Sequence, residues 1–541
     1  MPAVPPSRSR PTRDGAGCGP VSRGLAELAR GQRQLVDGPV GDARASLLLA
    51  ESLLAAEAPD RAEAARLLAV DAAWAAGDVT ACLSILDGTD PEDRHGGDAG
   101  PDTGAGGGTT THAARTPTAV RTDDRTPPPE SSDRPEQPPA HPAFVRDYRD
   151  GMRAMLARQP DRATGPLRRI LEHARTDDRP DHLLRAAAAA LLLGDVHAAR
   201  TTGARALAAA RTADSAAFEA WALEYLAYGE LRAGRHAQAR AHAEQGVRAA
   251  LAAGHRNTAA SHHAMLALAA SIEGDPTAVA GYASAALTTA RRHGLTQAAT
   301  LAEWAVARAD LARGRPLEAA DRLRPLVGSG SRRGHFAVWM LAVPCFVEAT
   351  ALAGRPQDAQ PVVTDLAVWA AFGADPHAPA QLARCQALLA PADRADDLYL
   401  RALALHDEYD GGDFERARTE LLYGRWLRRR RRLREARSRL GAALVGFERC
   451  GAGAWADQTR GELRANGAAA SGKEASGGLS ALTPQQLRIA RYVAEGATNR
   501  EVAQRLAVST RTVDYHLRNV FAALGVRSRL ELARMVDQEG R

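Results

Sequence analysis

The sequence predicts an all-α protein, a stack of helical hairpins ending in a small four-helix domain, and three observations predict it. Gly194, Gly234, Gly274, Gly314 and Gly354 recur every forty residues, each closing an apolar helical segment and each followed by Asp or Arg. Three capping boxes, Thr483-Pro-Gln-Gln486, Thr498-Asn-Arg-Glu501 and Ser528-Arg-Leu-Glu531, punctuate the C-terminal tail. Aromatic residues make up only 4% of the chain while alanine fills the apolar segments, which suits closely packed helices rather than sheets.

Taken in order, residues 1–20 mix proline, arginine and glycine without periodicity and are expected to be disordered. Residues 21–87 turn helical, with Leu25-Ala-Glu-Leu28, Ala45-Ser-Leu-Leu-Leu49 and Ala62-Glu-Ala-Ala-Arg-Leu-Leu68, enough for three or four helices in one or two hairpins. Residues 88–142 hold ten prolines and the tract Gly104-Ala-Gly-Gly-Gly108, a composition expected of a disordered linker. The glycine period falls in residues 143–466. Five residues past each periodic glycine stands Ala199, Ala239, Ala319 or Ala359, with Val279 as the exception. Glycine supplies the turn between antiparallel helices and the small residue lets them approach, so a TPR-like α-solenoid is expected, serving as a sensor or interaction domain. Weaker copies surround Gln159, Pro391 and Arg430. Residues 467–480, rich in Gly, Ala and Ser, read as a flexible tether.

The tail, residues 481–541, has the clearest pattern. Leu487, Ala490, Val493 and Ala494 give a first helix its inward face, and Val502, Ala503 and Leu506 do so for a short second one. In the third, Val513, Leu517, Val520, Phe521 and Leu524 fall on one stripe, with Arg511, Asp514, Tyr515, Arg518 and Asn519 opposite. Ser509 is its expected N-cap and Gly525 its stop. Leu530, Ala533, Met535 and Val536 suit a fourth. Four helices whose middle pair is joined by a tight turn describe a helix-turn-helix that binds double-stranded DNA. From Ser480 to Arg541 ten arginines face six acids, a net charge of +4 out of +6 for the whole chain, as phosphate attraction requires.

The fragments Gly496-Ala-Thr-Asn-Arg-Glu-Val-Ala503, Leu506-Ala-Val-Ser-Thr-Arg-Thr-Val-Asp-Tyr-His516 and Leu524-Gly-Val-Arg-Ser-Arg529 resemble the C-terminal domain of LuxR-type transcription regulators. Asp413-Phe-Glu-Arg-Ala-Arg418 and Arg434-Glu-Ala-Arg437 resemble the last repeats of the large ATP-binding regulators of that family, without their ATPase module. The resemblance implies that Asp514, Tyr515 and Arg518 face base edges. Arg518 is suited to grip guanine bidentately, Tyr515 to pack on a thymine methyl and Asp514 to accept from cytosine. Many members carry lysine at the position of Asp514, where a carboxylate either reads cytosine or repels phosphate. Asn499, Ser509, Arg511, Thr512, Arg527 and Arg529 are expected to touch the DNA backbone. A homodimer on a pseudo-palindrome, and a small-molecule or protein inducer on the helical repeats, are the partners the resemblance implies.

Other chemistry finds little support. Gly467-Ala-Ala-Ala-Ser-Gly-Lys-Glu474 departs from a phosphate loop because Glu474 replaces the magnesium-binding hydroxyl and no strand precedes it. His255, His262 and His263 lack acid or cysteine partners at ligand spacing and read as surface or repeat-face residues. Cys18, Cys82, Cys345, Cys385 and Cys450 are far apart, which fits reduced thiols and a cytoplasmic protein. The run Arg428–Arg432 reads as a solvated repeat turn. No nucleophile constellation, metal site, cofactor or membrane span is expected, so the chain reads as a non-enzymatic regulator, with a repeat scaffold whose DNA binding is secondary as the alternative.

Overall fold

In a computed structural model the described residues are 19–88, 142–330, 332–373, 375–408, 412–466, 479, 482, 484–506, 508–524, 526 and 528–539. The described elements are α-helices with a short 3-10 turn at Pro356–Ala359, and no strand occurs among the described residues. Nearly all of the segments expected to be disordered or to act as a tether lie outside these residues. No helix of the described residues is long and apolar enough to cross a membrane. The chain folds into two compact units. One is made of Met1–Ser271, Asp275–Asp310 and Pro316–Leu382, the other of Ile272–Gly274, Leu311–Arg315 and Ala383–Arg541.

In the first unit, helices Pro20–Asp37, Val40–Leu54, Pro59–Ala76 and Val79–Asp87 precede the pair Pro142–Leu156 and Pro160–His173. The periodic hairpins follow. Their first helices are Pro180–Leu192, Ala216–Arg232, Arg256–Glu273, Thr296–Ala312 and Trp339–Leu352. Gly194, Gly234, Gly274, Gly314 and Gly354 all adopt left-handed backbone, with φ from 69° to 97°. Ala199, Ala239, Val279, Ala319 and Ala359 are buried. The turns between hairpins use the same device at Asp214 (φ 48°), Gly254 (φ 73°) and Gly294 (φ 74°). A left-handed residue therefore recurs every twenty positions from 194 to 314, half the spacing that the more regular glycines suggest.

A second regularity sets how closely the helices of a hairpin approach. A Cβ added at Gly31, Gly151 or Gly424 would lie 2.6, 2.6 or 2.7 Å from a side-chain carbon of Leu47, Leu167 or Leu440, the residue sixteen further on in each case. The absent side chain is filled by the leucine of the returning helix, which packs the pair without a void.

The N-terminal hairpins share buried residues with the helices that follow them. Leu28, Leu54, Val70 and Ile85 share one buried cluster with Phe144, Leu167, Leu183 and Leu223. They also meet helices far along the chain. Asn257 Nδ2 donates to the carbonyls of Leu35 (2.8 Å) and Gly38 (2.9 Å), Thr296 Oγ1 donates to the Ala76 carbonyl (2.7 Å), and Trp74 Nε1 donates to Gln297 Oε1 (3.1 Å). His335 Nε2 donates to the Trp74 carbonyl at 2.6 Å. These bonds, between residues 219 to 261 apart, bring the first hairpins onto the later repeats and leave a cavity of about 1480 Å³ between them.

His262 is not a surface residue. Fully buried between helices, it donates from Nε2 to the Ala220 carbonyl (3.0 Å), because Gly246 leaves room for the ring. In the second unit, Arg428–Arg432 spans a helix end and a turn, with Arg431 left-handed at φ 61°. Two of its members are held by carboxylates: Arg428 by Glu462 (2.9 Å) and Arg432 by Asp396 (2.7 Å) and Glu435 (2.5 Å). The weaker repeat copies are hairpins too, with Arg158 left-handed at φ 58° between Pro142–Leu156 and Pro160–His173.

Candidate nucleic-acid interface

The tail folds as helices Pro484–Ala494, Asn499–Leu506, Thr510–Leu524 and Arg529–Glu539. Their inward residues form a core of their own, including Ile489, Val493, Val502, Val513, Val520 and Leu532. Two of the starts that the capping boxes mark show their cap bonds, while Thr483 of the first box lies outside the described residues. Proline opens the first helix, where its missing N–H costs nothing. At the second, Thr498 N–H donates to Glu501 Oε2 (2.7 Å) and Glu501 N–H donates back to Thr498 Oγ1 (3.3 Å). Donation to the carboxylate by the Thr498 N–H and by the Thr498 hydroxyl (2.9 Å) holds the Glu501 carboxyl below its ordinary value. The Ser528 hydroxyl accepts from the Glu531 N–H (3.2 Å) at the fourth.

The third helix is set by Ser509, whose hydroxyl accepts from the Thr512 N–H (3.1 Å) and lies 2.7 Å from Thr512 Oγ1. Two expected backbone-contact residues thus form the cap itself, with Ser509 exposed at the helix N-terminus, where orphan N–H groups favour an anion. Val513, Leu517, Val520 and Leu524 are buried, which fixes the helix's rotation about its axis. Arg518 is consequently exposed on the side away from that core. The side chains of Tyr515 and Arg511, and the whole of Arg527, lie outside what is described.

Asp514 is not isolated on this face. The Asn499 side-chain amide donates to Asp514 Oδ1, and Arg529 Nη2 donates to Asn499 Oδ1 at 2.5 Å. Three residues assigned separate DNA contacts by sequence thus form one chain across three helices. The separations, fifteen and thirty residues, follow no helical spacing, so no periodicity revealed it. Arg505, also exposed, sits over the Tyr492 ring with its guanidinium carbon 5.3 Å from the centroid, a contact the sequence did not signal.

Chemically, the arrangement offers a helix with an exposed arginine, a hydroxyl-capped N-terminus and a carboxylate held by the Asn499 amide. These are groups for gripping phosphates and base edges.

Residues 480–536 match the family "Bacterial regulatory proteins, luxR family". The Putative HTH-type transcriptional regulator Mb0914c of Mycobacterium bovis is 41% identical over 101 residues, covering 19% of this chain and 10% of that protein. The Fimbriae Z protein of Salmonella typhimurium is 37% identical over 51 residues, covering 9% of this chain and 24% of its own length. The match therefore spans a tenth to a quarter of these relatives. Among solved structures, that of a Rap protein complexed with competence and sporulation factor aligns with 60% of this chain and 98% of its own, at 13% identity and a TM-score of 0.38.

Proposed function

We propose that this chain, whose tail is a LuxR-family helix-turn-helix domain, is a non-enzymatic, cytoplasmic transcription regulator that reads double-stranded DNA through the third helix of that tail. The observation that carries the reading is the exposure of Arg518 on a helix whose opposite side is locked into a core and whose N-terminus is capped by Ser509. In this reading Arg518 and Tyr515 meet base edges in the major groove, and Ser509, Arg511, Thr512 and Arg527 hold the phosphates. Asn499 and Arg529 orient Asp514 as well as approaching the backbone. Two copies bind a pseudo-palindrome, because one such domain covers little DNA. The helical repeats receive the inducing signal.

The test is selection of bound fragments from the source genome by the full chain, followed by titration of a selected site. A sequence-selective complex that weakens as salt rises is expected. Arg518→Ala should cost about 1–3 kcal/mol and relax preference at one base pair. Equal loss on every sequence would remove Arg518 from base reading, and no selective binding would remove the proposal.

A further inference from the structure

The cavity of the first unit is built unlike the rest of the chain. Eleven of the 24 aromatic residues of this aromatic-poor sequence line it. Its most informative wall is helix Ala216–Arg232, where Trp221, Glu224, Tyr225 and Tyr228 follow at helical spacing and all reach the cavity. The neighbouring helix Arg256–Glu273 offers hydroxyls: Trp221 Nε1 donates to Thr258 Oγ1 (3.3 Å), and Ser261 also lines the cavity.

Three of the lining arginines are paired with carboxylates. Arg185 pairs with Asp71 (3.2 Å) and lies over the Tyr148 ring, Arg232 pairs with Asp375 (2.9 Å), and Arg149 pairs with Glu63 (3.6 Å). Glu224 differs. Burial pushes its carboxyl up to about 7 and the opposing influence is the Ser261 hydroxyl, a neutral group. A carboxyl set among aromatic faces without a cation is costly as an anion, and an incoming cation removes that cost while its charge is also drawn to the ring faces.

We propose that this cavity is a binding site for an amphiphilic organic amine, its aromatic or aliphatic body held among the rings and its ammonium group on Glu224. The volume, about 1480 Å³, exceeds that of most small-molecule sites and admits a body of several rings. Because the first hairpins close the cavity against helices more than two hundred residues away, a molecule inside touches both. Occupancy therefore favours the closed arrangement by whatever affinity it has for it. This deepens the sensor half of the function proposed above and rests on it for its biological meaning. The chemistry of the cavity is tested without DNA, so failure here and failure of DNA binding are separate results.

The experiment uses the full chain and three fluorescent probes sharing a dansyl group and a hexyl spacer, ending in an amine, an alcohol or a carboxylate. Binding of the amine at least tenfold tighter than the alcohol, with the carboxylate weakest, is expected. Glu224→Gln should bring the amine down to the level of the alcohol and leave the alcohol unchanged. Glu224→Asp, which keeps the charge, should keep the order of the three probes. Equal binding of all three, binding of none, or an amine preference that survives Glu224→Gln in a protein with unaltered helical circular dichroism would overturn the proposal. Should Glu224→Gln fail to fold, the order of the probes on the unsubstituted chain decides.

Discussion

The Asn499 side-chain amide donates to the Asp514 carboxylate across the second and third helices of the tail, and Asn499 Oδ1 accepts from Arg529 on the fourth. Asn499 and Arg529 each open a helix, where the partial positive charge of the N-terminus adds to the guanidinium. The linkage holds the Asp514 carboxylate in place and ties the second, third and fourth helices together.

Asn499→Ala should release the Asp514 carboxylate from that linkage. Loss of the two bonds is expected to lower the tail's stability by about 1–2 kcal/mol and to weaken DNA binding most at low salt, where the freed Asp514 repels phosphate most strongly. Adding Asp514→Asn should restore affinity, read by titrating a labelled duplex at several salt concentrations. A double variant no better than the single one would show that the linkage does not control charge at the DNA face.

Gly246→Ala places a methyl in the space that the His262 ring occupies. His262 is fully buried and cannot retreat to solvent, so the pair must separate. A loss of about 2–4 kcal/mol in thermal or urea unfolding is expected for overpacking on this scale. Unchanged stability would mean that these hairpins are looser than their packing indicates.

His262 and His335 make acid stability measurable. Burial pushes each down to about 4, from about 6.5 in an unfolded chain. A folded-state value below the unfolded one means that the unfolded chain binds more protons in between. Stability is therefore full above about pH 6.5 and falls as pH drops toward 4, by about 3 kcal/mol per histidine at the lower end. His335 also donates to the Trp74 carbonyl and stacks on Phe336, with ring centroids 4.4 Å apart, so tryptophan fluorescence should report opening of the cavity in that window. Replacing both histidines by glutamine should flatten the dependence, and a slope left untouched would assign it elsewhere.

Arg431→Gly tests the turn that ends the arginine run. Arg431 holds φ 61° and is exposed, so its side chain meets the steric cost of the left-handed region without contributing to a core. Glycine there should raise stability by about 0.5–1 kcal/mol, seen as a higher midpoint in thermal unfolding. A lower midpoint would show that the arginine makes a contact worth more than the strain.

Local chemistry was legible in the sequence by itself. Thr498, Ser509 and Ser528 marked helix starts, Gly194 and its periodic companions marked turns, and the stripe through Val513, Leu517 and Val520 fixed which side of the third helix is free. Each of these depends on residues within one or two helical turns of each other. Other features needed the folded chain. The burial of His262 depends on the missing side chain of Gly246, the chain from Arg529 through Asn499 to Asp514 joins three helices, and the cavity exists because hairpins near Trp74 return to helices near Thr296 and His335. Closure of the repeats sums small rotations over many of them, so no single spacing encodes it, and only the tertiary structure decided that Glu224 would line a cavity together with aromatic rings.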